Sequence, residues 1–264
     1  MERAPGQTST VMGYPKSFYA DRAAKGIPAA RRVMRELSQL LQPASVVDLG
    51  CGDGSFLSAI AEFGVEDLLG VEGMWIDDAQ LAIAPELIRR HDLNQAFRCP
   101  RRFDLAVSIE VAEHLAPERG AGFVDDLTLL ADVVLFSAAI PGQGGTNHIN
   151  ERWQSYWAGL FAARGYHVID CLRPSLWSDD DVPHSWRQNL LLYANDRALQ
   201  AWPALAAAKE RRAGAIVDIV HPRYFWRASK PRSLGHLLKS QLPRALGYSL
   251  RRRKGPLRDV GEPP

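Results

Sequence analysis

The stretch VVDLGCGDGSFL, residues 46–57, decides the fold class of this chain. Apolar residues surround Asp48, and glycines then occupy alternate positions at Gly50, Gly52 and Gly54. Glycine has no Cβ and tolerates positive φ, so it permits both a tight turn and the close approach of a ligand to the backbone. The stretch therefore predicts a strand, a ligand-binding loop and a helix whose N-terminus faces the ligand.

An alternation of apolar runs and helical patterns continues over residues 20–195 and predicts a parallel sheet with helices on both faces. The apolar runs are nearly continuous, as in strands that are buried on both sides. The predicted strands are Ser45–Leu49, Asp67–Glu72, Glu86–His91, Phe103–Ile109, Val133–Ser137, Tyr166–Leu172 and Asn189–Ala194. The predicted helices are Ala23–Leu41, Ser55–Phe63, Phe123–Ala131, Glu151–Arg164 with Asn150 as its N-cap, and Leu199–Arg212.

Length and composition predict a globular protein with one core and a small appendage. The chain has 264 residues, of which 46% are hydrophobic and 23% are charged. We find no apolar N-terminal run and no stretch of about 18 apolar residues, so neither a signal peptide nor a membrane span is expected. Three scattered cysteines, Cys51, Cys99 and Cys171, lack metal-type spacing and fit a reducing cytoplasm.

Charge is distributed unevenly along the chain. Between Ile219 and Arg258 the sequence has eleven Lys or Arg and no Asp or Glu, whereas the net charge of the whole chain is only +2. The remaining residues are therefore net acidic. Leucines at helical spacing between Leu234 and Leu250 make this tail a candidate for peripheral contact with an anionic membrane. Packing on the acidic body, a solvated tail and contact with RNA are the alternatives, and nucleic acid is disfavoured because an acidic body repels a polyanion.

The G-x-G-x-G spacing with Asp48 two residues before the first glycine resembles the class I S-adenosylmethionine (SAM)-dependent methyltransferases, and the resemblance covers most of residues 45–195. A nicotinamide dinucleotide site usually shows G-x-G-x-x-G, which is missing here. The resemblance implies a Rossmann-like, doubly wound, mostly parallel α/β sheet of seven strands with an antiparallel last-formed hairpin. We expect an N-terminal helical cap or lid over residues 1–43, a SAM-binding core over residues 44–196, and a helical extension with the basic tail over residues 197–264.

A second acidic position supports a SAM site. Glu72 ends the second strand about 20 residues after the loop, where a carboxylate can accept both ribose hydroxyls of an adenosine. The resemblance implies that Asp92, in RRHDL, reaches the adenine amino group, and Met74 and Trp75 are placed to pack either on the adenine or within the protein. The predicted cofactor-binding residues are Asp48, Gly50, Gly52, Gly54, Glu72, Gly73, Asp92, Ile109 and Glu110.

The segment FDLAVSIEVAEHL, residues 103–115, carries the first catalytic candidates. Glu110, Glu113 and His114 would share one face if the strand turned into a helix there. A glycine-rich loop, which is mobile by composition, then leads to His148. Two carboxylates and two imidazoles that converge would form a site for Mg²⁺ or Mn²⁺.

The E-x-x-E-H pattern with a distant histidine resembles two groups of the superfamily, the small-RNA 3′-end 2′-O-methyltransferases and the ubiquinone-pathway O-methyltransferases. In the former, the matching positions hold a metal against the 2′ and 3′ hydroxyls. The implied ligands here are Glu110, Glu113, His114 and His148. Metal-free class I enzymes share the E-x-x-E-H pattern, so two alternatives stay open: His148 acts as a general base without metal, or both histidines are structural.

The expected function is O-methylation of a small molecule, sugar or glycan. The segment RPSLWSDDDVPHSWRQNLLLY, residues 173–193, combines Trp177, Trp186 and His184 with the acidic run 179–181, which suits either a sugar wall or a solvated turn beside buried tryptophans. The alternatives are a metal-dependent RNA 2′-O-methyltransferase and a non-catalytic SAM-binding partner subunit. Aromatic residues near the N-terminus could form a lid over the cofactor: Tyr14, Phe18 and Tyr19.

Overall fold

A computed structural model describes the backbone of residues 16–229 and the side chains of residues 26–226. Its sheet has seven strands in the order β3-β2-β1-β4-β5-β7-β6, parallel except for β7, which runs antiparallel to both neighbours. The predicted Rossmann-like, mostly parallel sheet with an antiparallel hairpin is confirmed. The strands are β1 Ser45–Leu49, β2 Asp67–Glu72, β3 Ile88–Arg90, β4 Leu105–Ile109, β5 Val133–Ser137, β6 Tyr166–Ile169 and β7 Leu191–Asn195.

Helices cover both faces of the sheet. Successive residues of a strand point to opposite sides, so an apolar strand contributes side chains to a hydrophobic cluster on each face. Val46 packs in one hydrophobic cluster with α1 and α2, and Val47 packs in a second cluster with α3 and α4. The described helices are α1 Lys16–Leu37, α2 Ser55–Ala61, α3 Gly120–Leu130, α4 Gln154–Ala162, α5 Leu172–Leu176, α6 His184–Asn189, α7 Asp196–Ala201, α8 Pro203–Arg211 and α9 Pro222–Ser229. Short 3₁₀ turns lie at Asp78–Gln80, Pro85–Leu87, Ala112–His114 and Pro117–Arg119.

Several predicted boundaries are wrong for local reasons. The third strand begins only at Ile88, because a 3₁₀ turn occupies Pro85–Leu87. The helix predicted over Leu199–Arg212 is divided into α7 and α8 at Pro203, which has no backbone N–H to continue α7. The first helix ends at Leu37 rather than Leu41.

The predicted N-cap of α4 is also wrong. The helix begins at Gln154 after Trp153, which makes no side-chain cap. Asn150 instead donates from Nδ2 to the Ala112 carbonyl oxygen over 3.2 Å and accepts from Arg152 Nε over 3.0 Å. It therefore fastens the approach to α4 to the loop after β4.

By compactness the chain divides into two units, Met1–Tyr224 and Phe225–Pro264. The sheet and the candidate site lie in the first unit. Tyr14 and the leucine-rich part of the basic tail lie outside the described residues, and the side chains of Phe18 and Tyr19 do as well. The lid and membrane-contact predictions therefore stay predictions. Among the residues that the structure describes, none of the helices has the length and apolar character needed to cross a membrane.

Candidate active site

The glycine loop follows β1 and takes left-handed backbone at alternate residues, with φ of 86° at Gly50, 58° at Gly52 and 79° at Gly54. A Cβ at Gly50 would lie 2.4 Å from Val111 Cγ2, so the loop after β4 packs directly on this glycine. A Cβ at Gly52 would meet no atom within 4 Å. The loop is therefore packed on one side and open above Gly52.

Two carboxylates lie beside this loop. Glu72, at the end of β2, accepts from the backbone N–H of Gly52 over 2.7 Å and of Gly73 over 2.8 Å. Asp48 is only 3% exposed, and its pKa is raised well above the ordinary value by burial and, secondly, by the negative charge of Glu72. The fold therefore places two acidic side chains at the carboxyl edge of β1 and β2, where a doubly wound sheet binds its ligand.

The loop also contains polar atoms that fit a bound cofactor. Asp53 Oδ2 and Ser55 Oγ are buried and have no hydrogen-bond partner within the described protein. Buried polar atoms normally find a partner in the protein, in water or in a ligand. With Glu72 and the open space above Gly52, these two atoms provide acceptors and a cradle for a polar ligand such as SAM. Sequence reasoning missed both of them, although they flank the third glycine.

The other residues predicted to lie near the adenosine are Asp92, Met74 and Trp75, and each has a different environment in the structure. Asp92 is exposed, and its Oδ1 accepts from Asn94 N over 2.9 Å, so it forms a local turn. Met74 is 80% exposed, whereas the Trp75 ring lies against Gly73, where a Cβ would come within 2.1 Å of the indole. Arg90 donates to the Gly73 carbonyl oxygen over 3.0 Å and thereby holds this edge of the site.

The loop after β4 does not continue as a helix, so the expectation of one shared helical face is wrong. Ile109 pairs with Ser137 in the sheet, and Glu110 then takes a left-handed φ of 56° while its N–H donates to the Ser137 carbonyl oxygen over 3.1 Å. The Glu110 carboxylate accepts from Gln143 Nε2 over 2.8 Å and from Asn189 Nδ2 over 3.1 Å.

Three of the four predicted metal ligands nevertheless come together. Glu113, His114 and His148 offer ligand atoms that all lie within 4.8 Å of one another, and the two imidazole centroids are 4.8 Å apart. Glu113 is fully buried, and its carbonyl oxygen accepts from the N–H groups of Ile149 and Asn150. Those two bonds bring the segment that carries His148 against the 3₁₀ turn.

Glu110 is not a member of this three-residue group, because its side chain is engaged by Gln143 and Asn189. A carboxylate with two imidazoles is a donor set that suits Mn²⁺, Fe²⁺ or Zn²⁺ better than Mg²⁺. The residues present therefore fit a divalent cation. They equally fit a metal-free site in which an imidazole accepts a proton.

The acidic and aromatic segment between β6 and β7 is used largely within the fold. Asp179 pairs with Arg32 over 2.6 Å, and the Arg32 guanidinium lowers the pKa of that carboxyl. Trp186 meets Phe56 edge to face at 5.7 Å. The other members of the segment are engaged as follows: Asp180 with Arg187 and Arg223, Trp177 with His221, and His184 with Tyr224.

Comparison with known proteins decides the class. Residues 22–121, which include the glycine loop, Glu72 and the E-x-x-E-H segment, match the family model described as a methyltransferase domain. Residues 22–121 are therefore part of a SAM-dependent methyltransferase domain. The predicted enzyme class, a SAM-dependent methyltransferase, is confirmed, and SAM is the cofactor of that class. No curated protein matches the chain by sequence.

Solved methyltransferase structures resemble this domain at low sequence identity. The sugar N-methyltransferase KedS8 from Streptoalloteichus sp ATCC 53650 is 16% identical, with a TM-score of 0.51 over 74% of this chain and 99% of that one. An O-methyltransferase family protein from Burkholderia thailandensis is 14% identical, with a TM-score of 0.49 over 68% of this chain and 58% of that one. The likeness to KedS8 shows a shared methyltransferase fold.

Proposed function

We propose that this methyltransferase moves the methyl group of SAM in line to a hydroxyl of a small molecule, sugar or glycan. The observation that carries the proposal is that Glu113 and His114, in the segment that packs on the glycine loop, converge with His148. Val111 fills the space beside Gly50, so the cluster begins two residues from a direct contact with the cofactor loop. An acceptor hydroxyl could therefore reach both the sulfonium methyl and the cluster.

The chemistry needs little beyond placement and a proton acceptor. The sulfonium already activates the methyl group, so catalysis consists of aligning the acceptor oxygen and removing its proton. His148 can accept that proton, with Glu113 supplying negative charge. A divalent cation held by Glu113, His114 and His148 would lower the pKa of the bound hydroxyl and fix its direction. The assignment of Glu110 as a fourth metal ligand stays a prediction.

A metal-dependent RNA 2′-O-methyltransferase is the second candidate, because the same cluster would suit a ribose diol. Against it stands the net acidic character of residues 1–218, since nucleic-acid binding is dominated by neutralisation of phosphates by Lys and Arg. The sugar N-methyltransferase activity of a protein with this fold adds amino sugars to the acceptors worth testing.

The test is transfer of a labelled methyl group from SAM to a panel of simple glycosides, amino sugars, vicinal diols and a short RNA with a free 3′ end. We expect a hydroxylated sugar or small molecule to be methylated. His148→Ala should lower kcat by about 10²–10⁴-fold, the usual contribution of general acid–base catalysis. His167→Ala is the matched control. His167 lies on the edge strand β6, away from β4 and its following loop, and its imidazole pairs with Asp196.

Chelation separates the two versions of the mechanism. If a cation assists, removing divalent ions should abolish turnover and Mn²⁺ should restore it. If His148 acts as a base alone, chelation should change nothing. Unchanged turnover in His148→Ala would contradict both versions, and methylation of the RNA alone would favour the second candidate.

A further inference from the structure

One carboxylate collects three N–H groups beside the candidate cluster. Glu151 Oε2 accepts from Gly142 N over 2.8 Å, and its Oε1 accepts from Gly144 N over 3.0 Å. The same Oε1 lies 3.1 Å from His148 Nδ1. Glu151 thereby ties the glycine-rich loop and the imidazole to a single point, although sequence analysis assigned it only to a helix.

This contact selects one tautomer of His148. A carboxylate only accepts hydrogen bonds, so the hydrogen must lie on Nδ1 of the imidazole. In a neutral ring the lone pair is then on Nε2. Carboxylates that accept from one nitrogen of a histidine commonly fix the ring and raise the basicity of the other nitrogen.

Gly145 lies directly against the side of the ring that carries that other nitrogen. A Cβ at this position would lie 2.2 Å from His148 Nε2 and 2.4 Å from Cε1. Gly145 does not have a positive φ, unlike Gly142 and Gly144, so its backbone conformation does not require glycine. The close approach of the imidazole explains the glycine here: any side chain would cover Nε2.

We propose that Glu151 is a positioning residue for His148, and that Nε2 is the nitrogen that meets the acceptor or a cation. The assignment rests on the proposed use of His148 in methyl transfer. Glu151 contacts no reacting atom in this scheme. It acts by fixing the tautomer and by holding the backbone of residues 142–144, which lead to Gly145.

The test is nitrogen-15 NMR of histidine-labelled protein without metal, recorded at alkaline pH where a further rise in pH no longer changes the His148 signals and the ring is neutral. His148→Ala identifies the ring signals. The wild type should show hydrogen on Nδ1 and none on Nε2 of His148. Glu151→Ala should lose this preference, whereas Glu118→Ala should keep it, because Glu118 is an exposed carboxylate on the neighbouring 3₁₀ turn.

Calorimetric titration with Mn²⁺ provides the second readout. Loss of a residue that orients a ligand typically costs 10–100-fold in metal affinity, which we expect for Glu151→Ala and not for Glu118→Ala. Gly145→Ala should also weaken Mn²⁺ binding, because a Cβ only 2.2 Å from Nε2 forces the imidazole out of its position.

The proposal is overturned if the wild-type ring carries its hydrogen on Nε2, or if Glu151→Ala retains the wild-type pattern. Should Glu151→Ala fail to fold, the tautomer of the wild-type ring still decides. A wild type that binds no Mn²⁺ but shows the Nδ1–H tautomer would remove the metal version of the proposed function and leave the role of Glu151 intact.

Discussion

Replacing Gly50 by alanine tests the contact that joins the cofactor loop to the loop after β4. Two costs add at this position. The φ of 86° is left-handed, which costs an L-residue about 1–2 kcal/mol. The new Cβ would also lie 2.4 Å from Val111 Cγ2, and overpacking of this kind costs about 1–3 kcal/mol. We therefore expect Gly50→Ala to lower the free energy of unfolding by about 2–5 kcal/mol.

Gly52→Ala is the matched control. Its φ of 58° is also left-handed, but no atom lies within 4 Å of the added Cβ, so only the backbone cost of about 1–2 kcal/mol should appear. The same Cβ enters the open space in which we place the cofactor. Gly52→Ala should therefore weaken binding of S-adenosylhomocysteine (SAH) more than its small effect on stability suggests.

Val111→Ala completes a double-mutant cycle. Removing the valine methyl groups should relieve the clash in Gly50→Ala and leave the backbone strain, giving a coupling energy of about 1–3 kcal/mol. The measurement is urea denaturation of the four proteins, with SAH affinity as a check of the site. A Gly50→Ala variant no less stable than Gly52→Ala, or a coupling energy near zero, would refute the reasoning.

Two further predictions concern groups with shifted pKa. The pKa of Asp48 is raised by burial and then by the charge of Glu72, so its ionisation opposes folding, and this penalty grows as pH rises from the ordinary carboxyl pKa to the raised one. Asp48→Asn should therefore raise the free energy of unfolding at pH 7 and lose this gain below the ordinary carboxyl pKa, measured by urea denaturation across pH. Burial raises the pKa of Cys171 to about 12 and that of Cys51 well above its usual range. Because the thiolate is the reactive form, alkylation at mildly alkaline pH should modify Cys99 first, as measured by mass spectrometry. Equal labelling rates at the three cysteines would contradict the raised pKa of Cys51 and Cys171.

The strands that build the cofactor edge could be predicted from the sequence. Ser45–Leu49, Asp67–Glu72 and Val133–Ser137 agree residue for residue with the structure, because each is an apolar run that polar or glycine positions bound. The third strand is shorter than predicted, because the residues before it form a 3₁₀ turn that begins at Pro85. Three paired residues are too few for an alternating pattern to show where the strand begins and ends.

The convergence of Glu113, His114 and His148 could also be predicted, but the way in which they converge could not. A helical face was expected to bring Glu110 beside Glu113 and His114, whereas a left-handed residue at Glu110 breaks that periodicity. Nothing in the local sequence demands a positive φ at a glutamate. Its conformation depends on Ser137 and on the amides of Gln143 and Asn189, which are distant in the chain.

The roles of Asn150 and Glu151 were hidden for a related reason. Both look like residues of a helix start, since Asn is a common N-cap and Glu is favoured in a first turn. The structure uses both side chains for contacts across the loop: Asn150 binds the Ala112 carbonyl oxygen, and Glu151 binds two glycine amides and His148. Such contacts compete with capping and are decided by tertiary packing.

The central claim is that the glycine loop and Glu72 form a SAM site, and calorimetric titration with SAH tests it most directly. The wild type should bind SAH with micromolar affinity. Glu72→Ala should bind at least about 10-fold more weakly, because it removes the charged acceptor beside Gly52 and Gly73, and a hydrogen bond to a charged group is worth about 1.5–3 kcal/mol. No binding of SAH by the wild type, with NAD or NADP bound instead, would contradict the account.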